Sequence, residues 1–342
     1  MDNFCLEKRN IRVAISPVCN FNCAYCDGAH SRKTNRPGAM EDFRQTPLAK
    51  GVISTKETIE IIKSFYLAGF RGVAFTGGEP LLNPDWDKIV NQTKEIGMTR
   101  VGVTTNGSLL EAYLAKNKYL PKGLTLLTLS FDTHNPIKFN TITGSGDLNQ
   151  IIRGVKKAKK SNPNLLIRAN KIVMRNEVNS LLEYFNFCEK LNIFNEINLL
   201  NLILKDDGNQ DFFRQEFISA SEILYFLNKK TKYKFYLDDK HEYRATCFNG
   251  LEIILKDTNL TLRNELCKDC SVYCQEGFFT IRVATDGSIS VCPDYQARLP
   301  FLDGIKELRS GQLTVEIKKI VKMLKKVKLE KTLDNFLDKK LN

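Results

Sequence analysis

From Ile11 to about Leu202, short apolar or β-branched runs alternate with longer segments whose apolar residues recur at helical spacing. That alternation predicts βα units around a parallel sheet. The strand candidates are IRVAIS, GVAFT, VGVTT, TLLTLSF, LLIRANKIV and EINLLNL, six in all. After the first of them, Ser54 with Glu57 predicts a capping box opening a helix that carries Ile59, Ile62 and Phe65 on one face. Asn83-Pro84-Asp85 marks the start of another helix, and further helices are expected near 108–118, 147–160 and 177–191. Six consecutive units point to an α/β fold, a partial (β/α)6 TIM-like barrel. In such a barrel the functional groups lie in the loops leaving the strand C-termini.

Beyond residue 202 the pattern changes. LKDDGNQDFFRQEF reads as an exposed polar connection, and a soft boundary falls near residue 235. The division expected is a core domain at 1–235 and a small C-terminal module with its own cysteine cluster at 236–342. FFTIRVA and SISVC in the second part read as strands around the turn Thr285-Asp286-Gly287.

The chain has 342 residues, enough for a barrel and a smaller appended module. No run approaches the roughly 20 apolar residues that span a bilayer, and MDNFCLEKRN has no apolar stretch behind its charges, so a cytoplasmic location is expected. Lys and Arg number 51 against 39 Asp and Glu, a formal net charge of +12. The excess suits an anionic substrate, an acidic protein partner or nucleic acid. Much of it sits between Lys306 and Lys340, where lysines fall between apolar residues at helical spacing. That is the pattern of an amphipathic helix with a solvated basic face, with membrane-surface or nucleic-acid contact as the alternatives.

Ten cysteines in a cytosolic chain favour metal or catalytic roles over disulfides. Cys19, Cys23 and Cys26 follow the first strand as C-x3-C-x2-C, while Cys267, Cys270, Cys274 and Cys292 form a second group. Three thiolates on one short loop can hold three corners of a [4Fe–4S] cubane and leave the fourth iron open. Structural zinc is the alternative. It wants four ligands, and the nearest fourth candidate is His30. For the second group, spacing alone leaves zinc and iron–sulfur both open.

The first motif, with Tyr25 directly before Cys26, resembles the signature of the radical S-adenosylmethionine superfamily. The resemblance implies a cluster held by Cys19, Cys23 and Cys26 whose open iron chelates S-adenosylmethionine. One electron then cleaves the cofactor to methionine and a 5′-deoxyadenosyl radical that abstracts hydrogen from substrate. It also implies that Phe75-Thr76-Gly77-Gly78-Glu79-Pro80 supplies a cradle for the methionine amino group. Tyr25, Gly77, Gly78, Glu79, Thr105, Asn106 and Ser130 are the cofactor-binding candidates. Ser130 is favoured over the neighbouring Asp132.

Within the superfamily, IRVAIS, FTGGEPLL, VTTNGSLL, LSFDTHNPIKFNTITG and IRANKIVMRNEVNS resemble, in the same order, the GTP 3′,8-cyclase family of molybdenum-cofactor biosynthesis. The likeness covers roughly 9–202 and resumes around 267–293. Cys274 and Cys292 bracket Gly287 as C-x12-G-x4-C, which resembles the opening of the auxiliary-cluster domains called Twitch and SPASM. This implies a second [4Fe–4S] cluster on Cys267, Cys270, Cys274 and Cys292, with Cys274 either closing it or leaving one iron open. Arg12, Arg168 and Arg282 fall where that family binds its substrate, and guanidinium suits phosphate or carboxylate. Ala74, Thr280 and Asn198 stand where it carries arginines, and the sequence ends Lys-Leu-Asn without the family's Gly-Gly.

The reading is therefore a two-cluster radical enzyme acting on a small anionic molecule, of nucleotide or nucleoside type, with flavodoxin or ferredoxin as electron donor. A maturase acting on a peptide is the alternative, against which no separate N-terminal peptide-recognition domain precedes the strand at Ile11. A non-catalytic zinc or nucleic-acid-binding protein is the reading from another class. A membrane partner is not expected.

Overall fold

Along the first strand the odd positions Ile11, Val13 and Ile15 are apolar and the even ones, Arg12, Ala14 and Ser16, are polar or small. Side chains alternate across a strand, so one face of the sheet goes under helices and the other lines the inside of the curve. A computed structural model describes residues 10–26, 52–202, 210–238, 242–247, 249–257, 281–291 and 301–326. In it Ile11, Val13 and Ile15 are buried at 4% exposure or less.

The barrel strands are β1 (Asn10–Ser16), β2 (Gly72–Gly77), β3 (Arg100–Thr105), β4 (Leu126–Ser130), β5 (Leu166–Ile172) and β6 (Glu196–Leu200). Between them run α1 (Thr55–Leu67), α2 (Trp86–Glu95), α3 (Leu110–Asn117), α4 (Pro136–Thr143), α5 (Leu148–Ser161) and α6 (Leu181–Leu191). Then follow α7 (Gln210–Glu216), α8 (Ala220–Lys230), β7 (Tyr236–Leu237), β8 (Glu242–Thr246), β9 (Glu252–Lys256), β10 (Arg282–Val283), β11 (Ser288–Ser290), β12 (Phe301–Asp303), α9 (Gly304–Arg309) and α10 (Leu313–Lys326).

The six expected strands pair in sequence, all parallel. Two more parallel strands extend the run, β10 beside β1 and β9 beside β6. Antiparallel ribbons then flank both ends, so the order is β12-β11-β10-β1-β2-β3-β4-β5-β6-β9-β8-β7. The barrel is open. The C-terminal strands thus join the same sheet, and β10 brings Arg282 beside Arg12.

Ser54 caps α1 as expected: its side chain accepts from the Glu57 amide while the Glu57 carboxylate accepts from the Ser54 amide. The buried face is Thr58, Ile61, Ile62 and Phe65, with Ile59 only packed at its margin. Ser54→Ala is expected to lower stability by about 1 kcal/mol, measured as a shift of the denaturation midpoint with unchanged slope. The segment expected to be helical from 177 begins as a 3-10 turn, Arg175–Ser180, before α6. In the tail, Leu313, Ile317, Ile320, Val321 and Leu324 are buried, and α10 packs on α1. Over that stretch the apolar face is taken up by the protein's own core, and residues 327–340 lie outside the described residues. Among the described residues no helix is long and apolar enough to cross a membrane.

Candidate active site

The loop leaving β1 is held from two sides by backbone. The Gly78 amide donates to the Ser16 carbonyl at 2.8 Å and the Glu79 amide to the Val18 carbonyl at 2.7 Å. From α4, the carbonyls of Thr143 and Ile142 accept from the Asn22 and Ala24 amides, both at 2.9 Å. A Cβ at Gly78 would lie 2.1 Å from the Val18 oxygen, and one at Gly77, where φ is +128°, would lie 2.4 Å from the Ser16 oxygen. The two glycines therefore serve the contact between β2 and the cysteine loop itself. Close approach to a ligand is the role their sequence suggested.

Side chains complete the hold. Asn106 Nδ2 donates to Asn20 Oδ1 at 2.8 Å and lies 3.9 Å from Cys19 Sγ, while Asn20 Nδ2 donates to Ser108 Oγ at 2.9 Å. The Phe21 amide points at Cys19 Sγ from 3.4 Å. Burial pushes the Cys19 thiol up to about 11 and that of Cys23 to about 12, with neighbouring negative charges adding to each, those of the other cysteines among them. Without a cation these groups stay protonated, and binding of iron releases their protons. Among the described residues no three His, Cys, Asp or Glu side chains converge on a point where one metal ion would fit. A cubane has no need of that convergence, because it spreads its thiolates over separate irons. The donor set and its spacing fit such a cluster.

Glu79 is 1% exposed. Its Oε1 accepts from the Thr105 hydroxyl at 2.6 Å and the Leu81 amide at 3.0 Å, and its Oε2 from the Asn106 amide at 2.8 Å. A carboxylate has about four acceptor positions, so one remains for a ligand donor. Burial pushes its pKa up to about 7, against the three hydrogen bonds that favour ionisation. Thr105 and Asn106, expected at the cofactor, thus act on Glu79 and on the Cys19 region.

Tyr25 donates its hydroxyl to Asp132 Oδ2 at 2.5 Å, and Asp132 Oδ1 accepts from the Ile172 amide at 2.8 Å. Burial holds the Asp132 carboxyl above the ordinary carboxylate range. Beneath it Lys171, fully buried, donates to the Asp132 carbonyl and to Glu177 Oε2 at 3.0 Å, and sits 4.9 Å from the centre of the Tyr184 ring. Glu177 in turn meets Lys138 of α4 at 3.2 Å. Sequence reading ranked Asp132 below Ser130 and passed over Lys171 and Glu177. The partners lie up to 107 residues apart, with no local pattern to connect them. Tyr25→Phe leaves a buried carboxylate oxygen without its donor, an expected loss of about 1–3 kcal/mol in denaturant unfolding of the ligand-free protein.

Ser130 ends β4, in register with Asn170 of β5. Arg12 and Arg282 are partners in register on β1 and β10. Arg168 lies apart on β5, forked onto Glu196 of β6, with its Nε 2.6 Å from Oε2. Cys267, Cys270, Cys274, Cys292, His30 and Thr280 lie outside the described residues.

Three thiols thus stand on a loop after the first strand of an open parallel barrel, beside a Gly-Gly-Glu turn, in an arrangement that fits an iron–sulfur cluster. Residues 13–182 match the Radical SAM superfamily, and the chain belongs to that superfamily. That family implies a [4Fe–4S] cluster and S-adenosylmethionine.

The chain is 31% identical over 190 residues to the probable GTP 3′,8-cyclase of Methanococcus maripaludis strain C6, covering 56% of this chain and 58% of that protein. It is 27% identical over 286 residues to the probable GTP 3′,8-cyclase of Sulfolobus acidocaldarius, covering 84% and 81%. Against molybdenum cofactor biosynthesis protein 1 of Dictyostelium discoideum it is 25% identical over 326 residues, covering 92% of this chain and 47% of that protein. The chain thus spans little more than half of the first relative and under half of the third. Among solved structures, Streptococcus suis SuiB bound to S-adenosylmethionine superposes with a TM-score of 0.59 at 15% identity, covering 90% of this chain and 68% of that one. The native anSMEcpe structure with bound AdoMet gives 0.51 at 16%, covering 89% and 80%. These two likenesses concern the fold.

Proposed function

We propose that the enzyme acts on a small anionic substrate of nucleotide or nucleoside type, through a cluster on Cys19, Cys23 and Cys26. When bound, the reduced cluster supplies the electron that splits S-adenosylmethionine into methionine and a 5′-deoxyadenosyl radical, which takes a hydrogen atom from the substrate to leave 5′-deoxyadenosine and a substrate radical. Reduced flavodoxin or ferredoxin is the donor class. The chain's own residues position and exclude. Asn106 and the Phe21 amide steady Cys19, Glu79 offers its remaining acceptor position to the methionine ammonium, and Tyr25 is pinned by Asp132. Ser130 stands at the cofactor on the adjoining strand.

The observation that carries the anionic substrate is the in-register pair Arg12 and Arg282 on the inner face of β1 and β10. A guanidinium pair at that place suits phosphate or carboxylate, which it can bind through forked hydrogen bonds. The names of the relatives agree with a nucleotide. Arg168 is committed to Glu196, and Ala74 and Asn198 carry no charge, so we do not assign GTP cyclisation to this chain. Cys267, Cys270, Cys274 and Cys292 would hold a second [4Fe–4S] cluster, which would supply a further one-electron centre, and this completes the proposal. Anaerobic reconstitution is expected to give about eight irons per chain, and a value of about four would remove the second cluster from the proposal. For the substrate, Arg12→Ala is expected to weaken binding of ribose 5-phosphate about tenfold or more in equilibrium dialysis. An unchanged affinity would count against the anionic reading.

A further inference from the structure

The inner wall of the barrel changes character between its two sides. On β1 and β10 it carries Arg12 beside Arg282. β5, β6 and β9 carry ion pairs of their own, Arg168 with Glu196, and Glu252 with Arg244, which also binds Asp238 and Glu242. Above the Arg168–Glu196 pair, one residue pair further toward the strand C-termini, stand Asn170 and Asn198 in register. They share the inner face with Arg168 and Glu196. The outward-facing neighbours on β5, Ile167, Ala169 and Lys171, are fully buried.

Asn198 is 4% exposed. Its Nδ2 donates to Asn170 Oδ1 at 3.2 Å, and its Oδ1 has no hydrogen-bond partner among the described residues. A buried amide oxygen left unmatched is costly, and native proteins keep few of them. Turning both amides over would exchange an unmatched acceptor for an unmatched donor and solve nothing. An Asn amide has two donor hydrogens and a carbonyl with two acceptor positions. One hydrogen is spent on Asn170, which leaves a second hydrogen and the oxygen for another partner. That donor–acceptor edge is the one Asn uses to read a nucleobase.

Position supports the same reading. Ser130, Asn170 and Asn198 form one row across β4, β5 and β6. At the usual strand spacing Asn198 is about 10 Å from Ser130, within the length of a nucleoside.

We infer that Asn198 is a specificity residue that recognises the hydrogen-bonding edge of a nucleobase, while the anionic end of the same molecule lies toward Arg12 and Arg282. The inference rests on the proposed anionic substrate and adds its base.

The test is equilibrium dialysis of reconstituted protein, with S-adenosylmethionine bound, against GMP, AMP, CMP, UMP and ribose 5-phosphate. At least one nucleotide is expected to bind about tenfold or more tightly than ribose 5-phosphate, as one or two directed hydrogen bonds allow. Asn198→Ala, and the similarly sized Asn198→Leu should the first fold poorly, are expected to bring that nucleotide to the level of ribose 5-phosphate, whose own affinity stays unchanged. If every nucleotide binds only as ribose 5-phosphate does, the base inference fails and the anionic reading stands. A base preference that survives both substitutions also overturns the inference. If neither ribose 5-phosphate nor any nucleotide binds, both readings fail together.

Discussion

Cys23→Ala is expected to abolish 5′-deoxyadenosine formation under reducing conditions and to lower the iron content of the reconstituted protein by about four per chain. The loop that carries Cys23 is held by backbone hydrogen bonds from Ser16, Val18, Ile142 and Thr143, and none of these involves the Cys23 sulfur. The substitution therefore removes a ligand without removing the loop's supports. Circular dichroism of the ligand-free variant is expected to match that of the parent, so a lost activity reports on the cluster and not on the fold. Cys188 is the control. It is buried in α6 and its thiol is pushed up to about 12 by burial, with Tyr184 as its hydrogen-bond neighbour. Cys188→Ala should keep its full iron content. Persistence of 5′-deoxyadenosine in Cys23→Ala would remove that cysteine from the cluster and the radical chemistry with it.

The parts of this molecule visible in its sequence are those whose signals are local. The parity of Ile11, Val13 and Ile15 and the Ser54–Glu57 box each lie within one element, and each has the structure its pattern implies, while Cys19, Cys23 and Cys26 share one loop. The strands β9 and β10 were harder to place. Each is short, and what makes it a barrel strand is a parallel partner at the opposite edge of the run, β6 for one and β1 for the other. FFTIRVA showed that a strand existed without showing its neighbour.

The site has the same division. Glu79 and Ser130 stand in motifs, while the Tyr25–Asp132 bond and the Arg168–Glu196 pair depend on strand register. Arg168 looked available to a substrate because its nearest charge in space is 28 residues away in sequence. Asn198 looked like a departure from a family pattern. Its meaning comes from Asn170 beside it and from the oxygen that nothing among the described residues matches.

Glu79→Gln is expected to lower the affinity for S-adenosylmethionine by about 10- to 100-fold, the range of one hydrogen bond to a charged group. Gln keeps an oxygen to accept from Thr105 and Leu81 but loses the charge that would face the methionine ammonium. The pH dependence has a definite sign. In the ligand-free fold the Glu79 carboxyl titrates near 7, well above its ordinary 4.5, because burial penalises the ion. Between those values the folded protein holds a proton that the unfolded chain has lost. Its contribution to stability is therefore greatest in acid and declines as pH rises toward 7. The cationic ligand selects the opposite form, the carboxylate, so affinity for S-adenosylmethionine should climb through the same interval. Glu79→Gln should flatten both slopes, that of the denaturation midpoint and that of the dissociation constant, and comparison with the parent cancels the titration of the ligand's own amino group. A variant that binds S-adenosylmethionine with the parent's affinity and pH profile would place the ammonium elsewhere and leave Glu79 as a brace for Thr105 and Asn106.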